Sequence, residues 1–183
     1  INIDYTEALK WFKLAANQGH TQAQCRLGGM YTNGFGTSID YDEALKWFKL
    51  AANKGVPAAQ NNLGLLYVKG YGVNIDYKEA LKWFKLAAEN GSVSSLKNIG
   101  HMYLSGLGTN EDSYEAVKWY QLAAEKGDIE AQNNLGCIYK GGHVIGIDYK
   151  KAYKWFSMAA KQGDSVAQYN IGALYYKGHG VAQ

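Results

Sequence analysis

The sequence predicts an all-α chain of about ten helices, stacked as helix-turn-helix repeats along residues 1–183 as a single array. Three observations carry this. Tryptophan recurs at Trp11, Trp47, Trp83, Trp119 and Trp155, always at an interval of 36 residues. Around it a string returns: Glu-Ala-Leu-Lys-Trp-Phe-Lys-Leu-Ala-Ala occupies residues 7–16, 43–52 and 79–88, and the fourth and fifth copies vary it. Finally, glycines and a candidate capping Asp fall at the same places in each period, while one Pro in the whole chain leaves little to break helices.

The first helix of each period is expected to start at Asp4, Asp40, Asp76 or Asp112, each followed three residues later by Glu7, Glu43, Glu79 or Glu115. That spacing suits an N-cap with a reciprocal partner, the two satisfying free backbone N–H groups. The fifth copy keeps Asp148 but has Lys151 at the Glu position, so its cap is expected to be weaker by under about 1 kcal/mol. Ala8, Phe12 and Ala15 share a helical stripe that packs inward. Gly19, Gly55, Gly91, Gly127 and Gly163 then end the helix.

The second helix carries Ala-x-x-x-Leu-Gly-x-x-Tyr, as in Ala23, Leu27, Gly28 and Tyr31 or Ala59, Leu63, Gly64 and Tyr67. Later copies read Ser95, Ile99, Gly100, Tyr103, then Ala131, Leu135, Gly136, Tyr139, then Ala167, Ile171, Gly172, Tyr175. A mid-helix Gly costs about 1 kcal/mol relative to Ala, so its return implies a close helix approach, with the Tyr ring beside the contact. Gly34, Gly70, Gly106, Gly142 and Gly178 close this helix, and four copies continue as Gly-x-Gly; Val144 replaces the second Gly in the fourth, which predicts a different loop shape there.

The combined pattern Ala-x-x-x-Leu-Gly-x-x-Tyr, Gly-x-Gly, Asp-x-x-x-Ala-x-x-Trp-Phe-x-x-Ala-Ala-x-x-Gly resembles the Sel-one-like repeat, a relative of the tetratricopeptide repeat, over essentially the whole chain. The resemblance implies a right-handed α-solenoid whose inner, concave surface is lined by the Leu-Gly-x-x-Tyr helices. It also implies that the chain starts at the second helix of one repeat, ends after the first helix of another, and is part of a longer array.

Composition and motifs argue against most chemistry. The charge of +3 is spread along the chain without a basic block, which speaks against nucleic acid, and no apolar run approaches the roughly 18 residues of a membrane span. A phosphate-cradling Gly-x-Gly needs a preceding strand, whereas a helix precedes it here. The Trp-Phe and Tyr rows read as core rather than as stacking platforms for bases or sugars. His20, His101, His143 and His179 show no metal-ligand spacing, and no Ser or Cys sits in a nucleophile motif. No cofactor, metal or catalytic residue is expected. Asn90-Gly91-Ser92 fits a glycosylation acceptor and a helix end equally well. Cys25 and Cys137 lie three repeats apart and are expected to be free thiols, which fits a reducing compartment without excluding export.

Sameness between copies marks what stacks; difference marks where recognition can sit. On the second helix the differing positions are Cys25, Asn61, Lys97, Asn133, Tyr169; Gly29, Leu65, His101, Cys137, Ala173; and Thr32, Val68, Leu104, Lys140, Tyr176. Just before the Leu stands Arg26 in the first copy and Asn62, Asn98, Asn134 and Asn170 in the others. An Asn ladder can grip successive peptide groups of an extended ligand, as the resemblance to tetratricopeptide modules implies, or bond to the adjacent repeat. Arg26, Lys97 and Lys140 would favour an acidic ligand or a free C-terminus.

The expected function is a protein-interaction scaffold or adaptor that holds a peptide or partner protein on the concave face and is not an enzyme. A structural spacer associating end to end is the first alternative. The second is a weak β-lactam-binding or hydrolysing protein, as described for cysteine-rich members of the family; those carry a Cys pair in each repeat, which this chain lacks.

Overall fold

The computed structural model describes residues 3–142 and 145–179. His143, Val144 and Gly180, which entered the histidine and loop expectations above, lie outside them. Among the described residues the chain is all α-helix: α1 Tyr5–Asn17, α2 Thr21–Asn33, α3 Tyr41–Asn53, α4 Pro57–Lys69, α5 Tyr77–Glu89, α6 Val93–Leu104, α7 Ser113–Glu125, α8 Ile129–Gly141, α9 Tyr149–Lys161 and α10 Ser165–Tyr176. The chain forms two compact units, Ile1–Ser95 and Leu96–Gln183, with the division inside α6.

Each odd-numbered helix starts where the sequence places it, but its cap works differently. The Asp40 carboxylate accepts the N–H groups of Asp42 and Glu43 at 3.1 and 3.0 Å, Asp4 likewise accepts two, and Asp76, Asp112 and Asp148 each accept the N–H three residues on. The reciprocal half of the expected box is replaced. The Asp40 N–H donates to the Tyr31 carbonyl at 3.0 Å, Asp76 to Tyr67, Asp112 to Tyr103 and Asp148 to Tyr139. One residue thereby closes the loop behind it and opens the helix ahead of it. The released Glu side chains pair instead with the Lys three residues on, as in Glu43 with Lys46 at 2.8 Å. Lys46 also leads the causes that hold the Glu43 carboxyl below its ordinary pKa, helped by the Trp47 indole N–H at 2.9 Å. In the fifth copy Lys151 supplies its N–H to Asp148 and sets its ammonium 3.5 Å from the same carboxylate.

In the first unit the most extensive packing joins α2 to α3 and α4 to α5. The small residues Ala44, Ala51 and Ala59 are fully buried, so the backbones approach closely. The helix glycines receive a ring, and it comes from the next helix rather than from the Tyr of their own. A Cβ on Gly28 would lie 2.6 Å from the Phe48 ring, one on Gly64 2.6 Å from Phe84, and in the second unit one on Gly100 3.0 Å from Tyr120; Gly136 meets Phe156 likewise. Phe48, Phe84, Tyr120 and Phe156 are at most 2% exposed. The core reading therefore holds for this ring row. The Trp and Tyr rows are mixed: Trp47, Trp155, Tyr31 and Tyr139 are buried, but Trp11 and Tyr175 are exposed.

Gly-x-Gly is a structural turn. Gly34 and Gly70 end helices with φ of 72° and 69°, and Gly72 passes so close to the Tyr41 carbonyl that a Cβ would sit 2.5 Å from it. The residue between the glycines stacks on that helix start, Tyr71 on Tyr41 with centroids 4.2 Å apart and Phe35 on Tyr5 at 4.8 Å.

Gly64→Ala is expected to lose about 1–3 kcal/mol, because its methyl meets a buried ring and the helix-propensity gain of about 1 kcal/mol does not compensate fully. Gly172→Ala, where nothing described lies within 4 Å, should instead be neutral or stabilising. Urea unfolding of the two variants checks the contrast; equal effects would remove the ring contact as its cause.

Candidate functional site

The even-numbered helices carry the variable positions, and the structure divides these into residues spent on packing and residues open to a ligand. At the first variable position, Asn61 is buried and accepts from the Ser95 hydroxyl at 2.9 Å. Lys97 is paired with Glu130, and the Asn133 amide donates to the Asp164 carboxylate at 2.8 Å. All three reach the start of the next even-numbered helix. Asp164 caps α10 through the Ala167 N–H, which together with Asn133 holds its carboxyl below the ordinary range. Tyr169 occupies the same position and is 76% exposed.

The Asn row divides similarly. Asn170 is buried, accepts from the Lys140 ammonium at 2.6 Å and donates to the Val166 carbonyl at 3.1 Å. Asn134 hydrogen-bonds the Tyr120 hydroxyl, whose pKa is pushed up to about 12, by burial first and by the Glu130 charge second. Asn98 is engaged as well. Asn62 is half-buried, has no bonding partner among the described residues, and borders three concavities of the first unit. Arg26 and Gly29 lie beside it, together with Met30, Asn33 and residues of α1. His101 and Tyr176 are exposed; Lys140, also over the Phe156 ring at 5.6 Å, is half-buried. Burial raises the pKa of the Cys25 thiol against the opposing charge of Arg26, and the Cys137 thiol is exposed and free.

A row absent from the sequence reading is built from glutamines. Gln24, Gln60 and Gln132 are buried one residue after the small residue of the second-helix motif, and each donates its amide to a carbonyl ending the helix before: Ala16 at 3.1 Å, Ala52 at 3.1 Å and Ala124 at 3.0 Å. The oxygens of Gln60 and Gln132 accept from Asn90 and Gln162, each at 3.0 Å. Recurrence at one register, with a later amide at a spacing of 30, was the available signal. No group of three or more His, Cys, Asp or Glu side chains could hold a metal among the described residues, and no described helix is long and apolar enough to cross a membrane.

The Sel1 repeat family model matches residues 1–20, 21–56, 57–92, 93–128, 129–164 and 165–183. A protective antigen present in uropathogenic Escherichia coli strains, displaying an SLR fold, is 42% identical with a TM-score of 0.90; the match covers 98% of this chain and 38% of the antigen. A Sel1 repeat protein from Oxalobacter formigenes is 41% identical with a TM-score of 0.88, covering 96% of this chain and 71% of that one. An immunity protein from Pseudomonas aeruginosa shares the fold at 20% identity and a TM-score of 0.64, over 91% of this chain and 62% of its own. No curated protein matches the chain.

Gln60→Ala removes one hydrogen bond from the Ala52 carbonyl, which keeps the Gly55 N–H, and one from the Asn90 amide, which keeps the Leu86 carbonyl, so it is expected to cost about 1–2 kcal/mol. Gln168→Ala, at the exposed position of the same row, should stay within about 0.5 kcal/mol of the parent. Chemical denaturation distinguishes the two, and a large loss at Gln168 would contradict the assignment.

Proposed function

The chain belongs to the Sel1 repeat family, whose members generally serve as protein-interaction scaffolds, and we propose that its ligand is an extended acidic segment of a partner protein. The segment lies along the face of the even-numbered helices, which the family resemblance makes the concave one. The family is typically a non-enzymatic scaffold, and this chain's two cysteines stand in different repeats, which disfavours the hydrolytic alternative.

The scarcity of carboxylates on the even-numbered helices is the observation that supports this ligand. Helices α2 and α4 carry Arg26 and Lys69 and no carboxylate. Helices α6, α8 and α10 add Lys97 and Lys140 against one acid, Glu130, which Lys97 already engages. The odd-numbered helices α1, α3, α5 and α7 hold carboxylates alongside their lysines, as in the pair Glu79 with Lys82, while α9 carries Lys150, Lys151, Lys154 and Lys161 and no carboxylate. A face with cations and few anions attracts an acidic segment and repels a basic one. Asn62 adds an unspent amide, with two donors and one acceptor for a peptide backbone.

For the acidic-segment reading, the test is fluorescence polarisation with end-capped peptide pools rich in Asp and Glu or rich in Lys. The parent chain should bind the acidic pool alone, and more weakly as salt rises. Arg26→Glu with Lys69→Glu should weaken binding about tenfold or more. Equal binding of both pools, or an unchanged double variant, would contradict the reading.

A further inference from the structure

Between α2 and α4 the first unit has a half-open cavity of about 120 Å³. Buried Phe48 and Leu66 line its inner part, Gly29 and Leu65 its sides, and half-buried Asn62 and exposed Lys69 its mouth. An apolar cavity of about 150 Å³ holds a benzene-sized group, so this one suits a single aliphatic side chain.

Residue 29 lines this cavity and has no side chain to occupy it. Two consecutive glycines inside α2 oppose helix formation. Gly28 is explained by Phe48, which leaves no room for a Cβ. Gly29 has no such reason: a Cβ there would meet nothing within 4 Å, and the corresponding positions of the other copies hold Leu65, His101, Cys137 and Ala173. What the glycine provides is the opening. The nearby Thr32 hydroxyl and Asn33 amide are already bonded to the Gly28 and Gly29 carbonyls at 2.7 and 2.8 Å, whereas Asn62 has no partner among the described residues.

We propose that this cavity is a specificity pocket for one apolar side chain of an acidic peptide, with Asn62 holding the peptide backbone and Lys69 an adjacent Asp or Glu. It rests on the acidic-segment reading of this face. Lys69 supplies the charge complementarity, since neither α2 nor α4 contains a carboxylate to compete for it.

The test uses the whole chain and two end-capped acidic heptapeptide pools, identical except for a central Leu or a central Ala. The parent chain should prefer the Leu pool by about tenfold, the worth of burying a Leu side chain in place of Ala. Gly29→Leu should bring that ratio close to one; Gly29→Met, whose flexible chain fills the same space, is the companion variant should Gly29→Leu fold poorly. Helicity and melting temperature are checked first. A parent ratio near one, or a ratio that survives filling of the cavity, overturns the pocket while leaving the acidic-segment reading standing. Failure of both pools to bind the parent overturns that reading and the pocket with it.

Discussion

The contact between a mid-helix glycine and the aromatic ring of the following helix sets the terms for the rest of this fold. With no side chain at Gly28, Gly64, Gly100 or Gly136, an aromatic ring packs against helix backbone, and the two helices come closer than a residue with a Cβ would readily allow. Close approach then demands alanine on the facing stripe, which is why Ala44, Ala51, Ala116 and Ala123 are fully buried. It also constrains the connection. The loop must return the chain to the same helix within a few residues, and it does so through a left-handed glycine, a second glycine pressed on a helix start, and an Asp bonded both backward and forward. Two of these rules meet at Tyr31, which is buried in the core and gives its carbonyl to Asp40.

Such economy leaves little of each repeat free for recognition. Buried glutamines tie the two helices of a repeat together, and amides from the next repeat complete their hydrogen bonding. Even the positions that vary between copies are partly spent: Lys97 opposes Glu130 and Asn133 opposes Asp164, so the variation there is a matched exchange between neighbours. What remains open in the first unit is a short polar and basic strip around Arg26, Asn62 and Lys69, interrupted by Gly29. Difference between copies therefore has two meanings, coupled substitution in stacking and free substitution on a surface.

Much of the fold was legible because it obeys a strict period. The 36-residue spacing, the capping Asp and the terminal glycines located every helix among the described residues to within a few positions. What escaped was side-chain direction. A helical stripe does not say whether Tyr31 or Phe48 meets Gly28, since both lie at core positions and only the packing of neighbouring helices decides. For the same reason Asn62 and Asn134 looked equivalent, although Asn134 meets the hydroxyl of Tyr120 where the second copy has Phe48 and the third Phe84. The glutamine row left no mark on the hydrophobic pattern, because polar residues are seldom fully buried and the partners of Gln60 are a backbone carbonyl and another amide.

The claim that the repeats stack through one set of residues and recognise through another is tested most directly by hydrogen–deuterium exchange of the whole chain, with and without the central-Leu acidic pool. Amide exchange reports local opening along the backbone, so it locates the footprint without altering the protein. Slowed exchange concentrated in α2 and α4, with α3 little changed, is the expected result. Protection confined to α3 and the connecting loops would contradict the account, because it would place recognition on the surfaces assigned here to stacking.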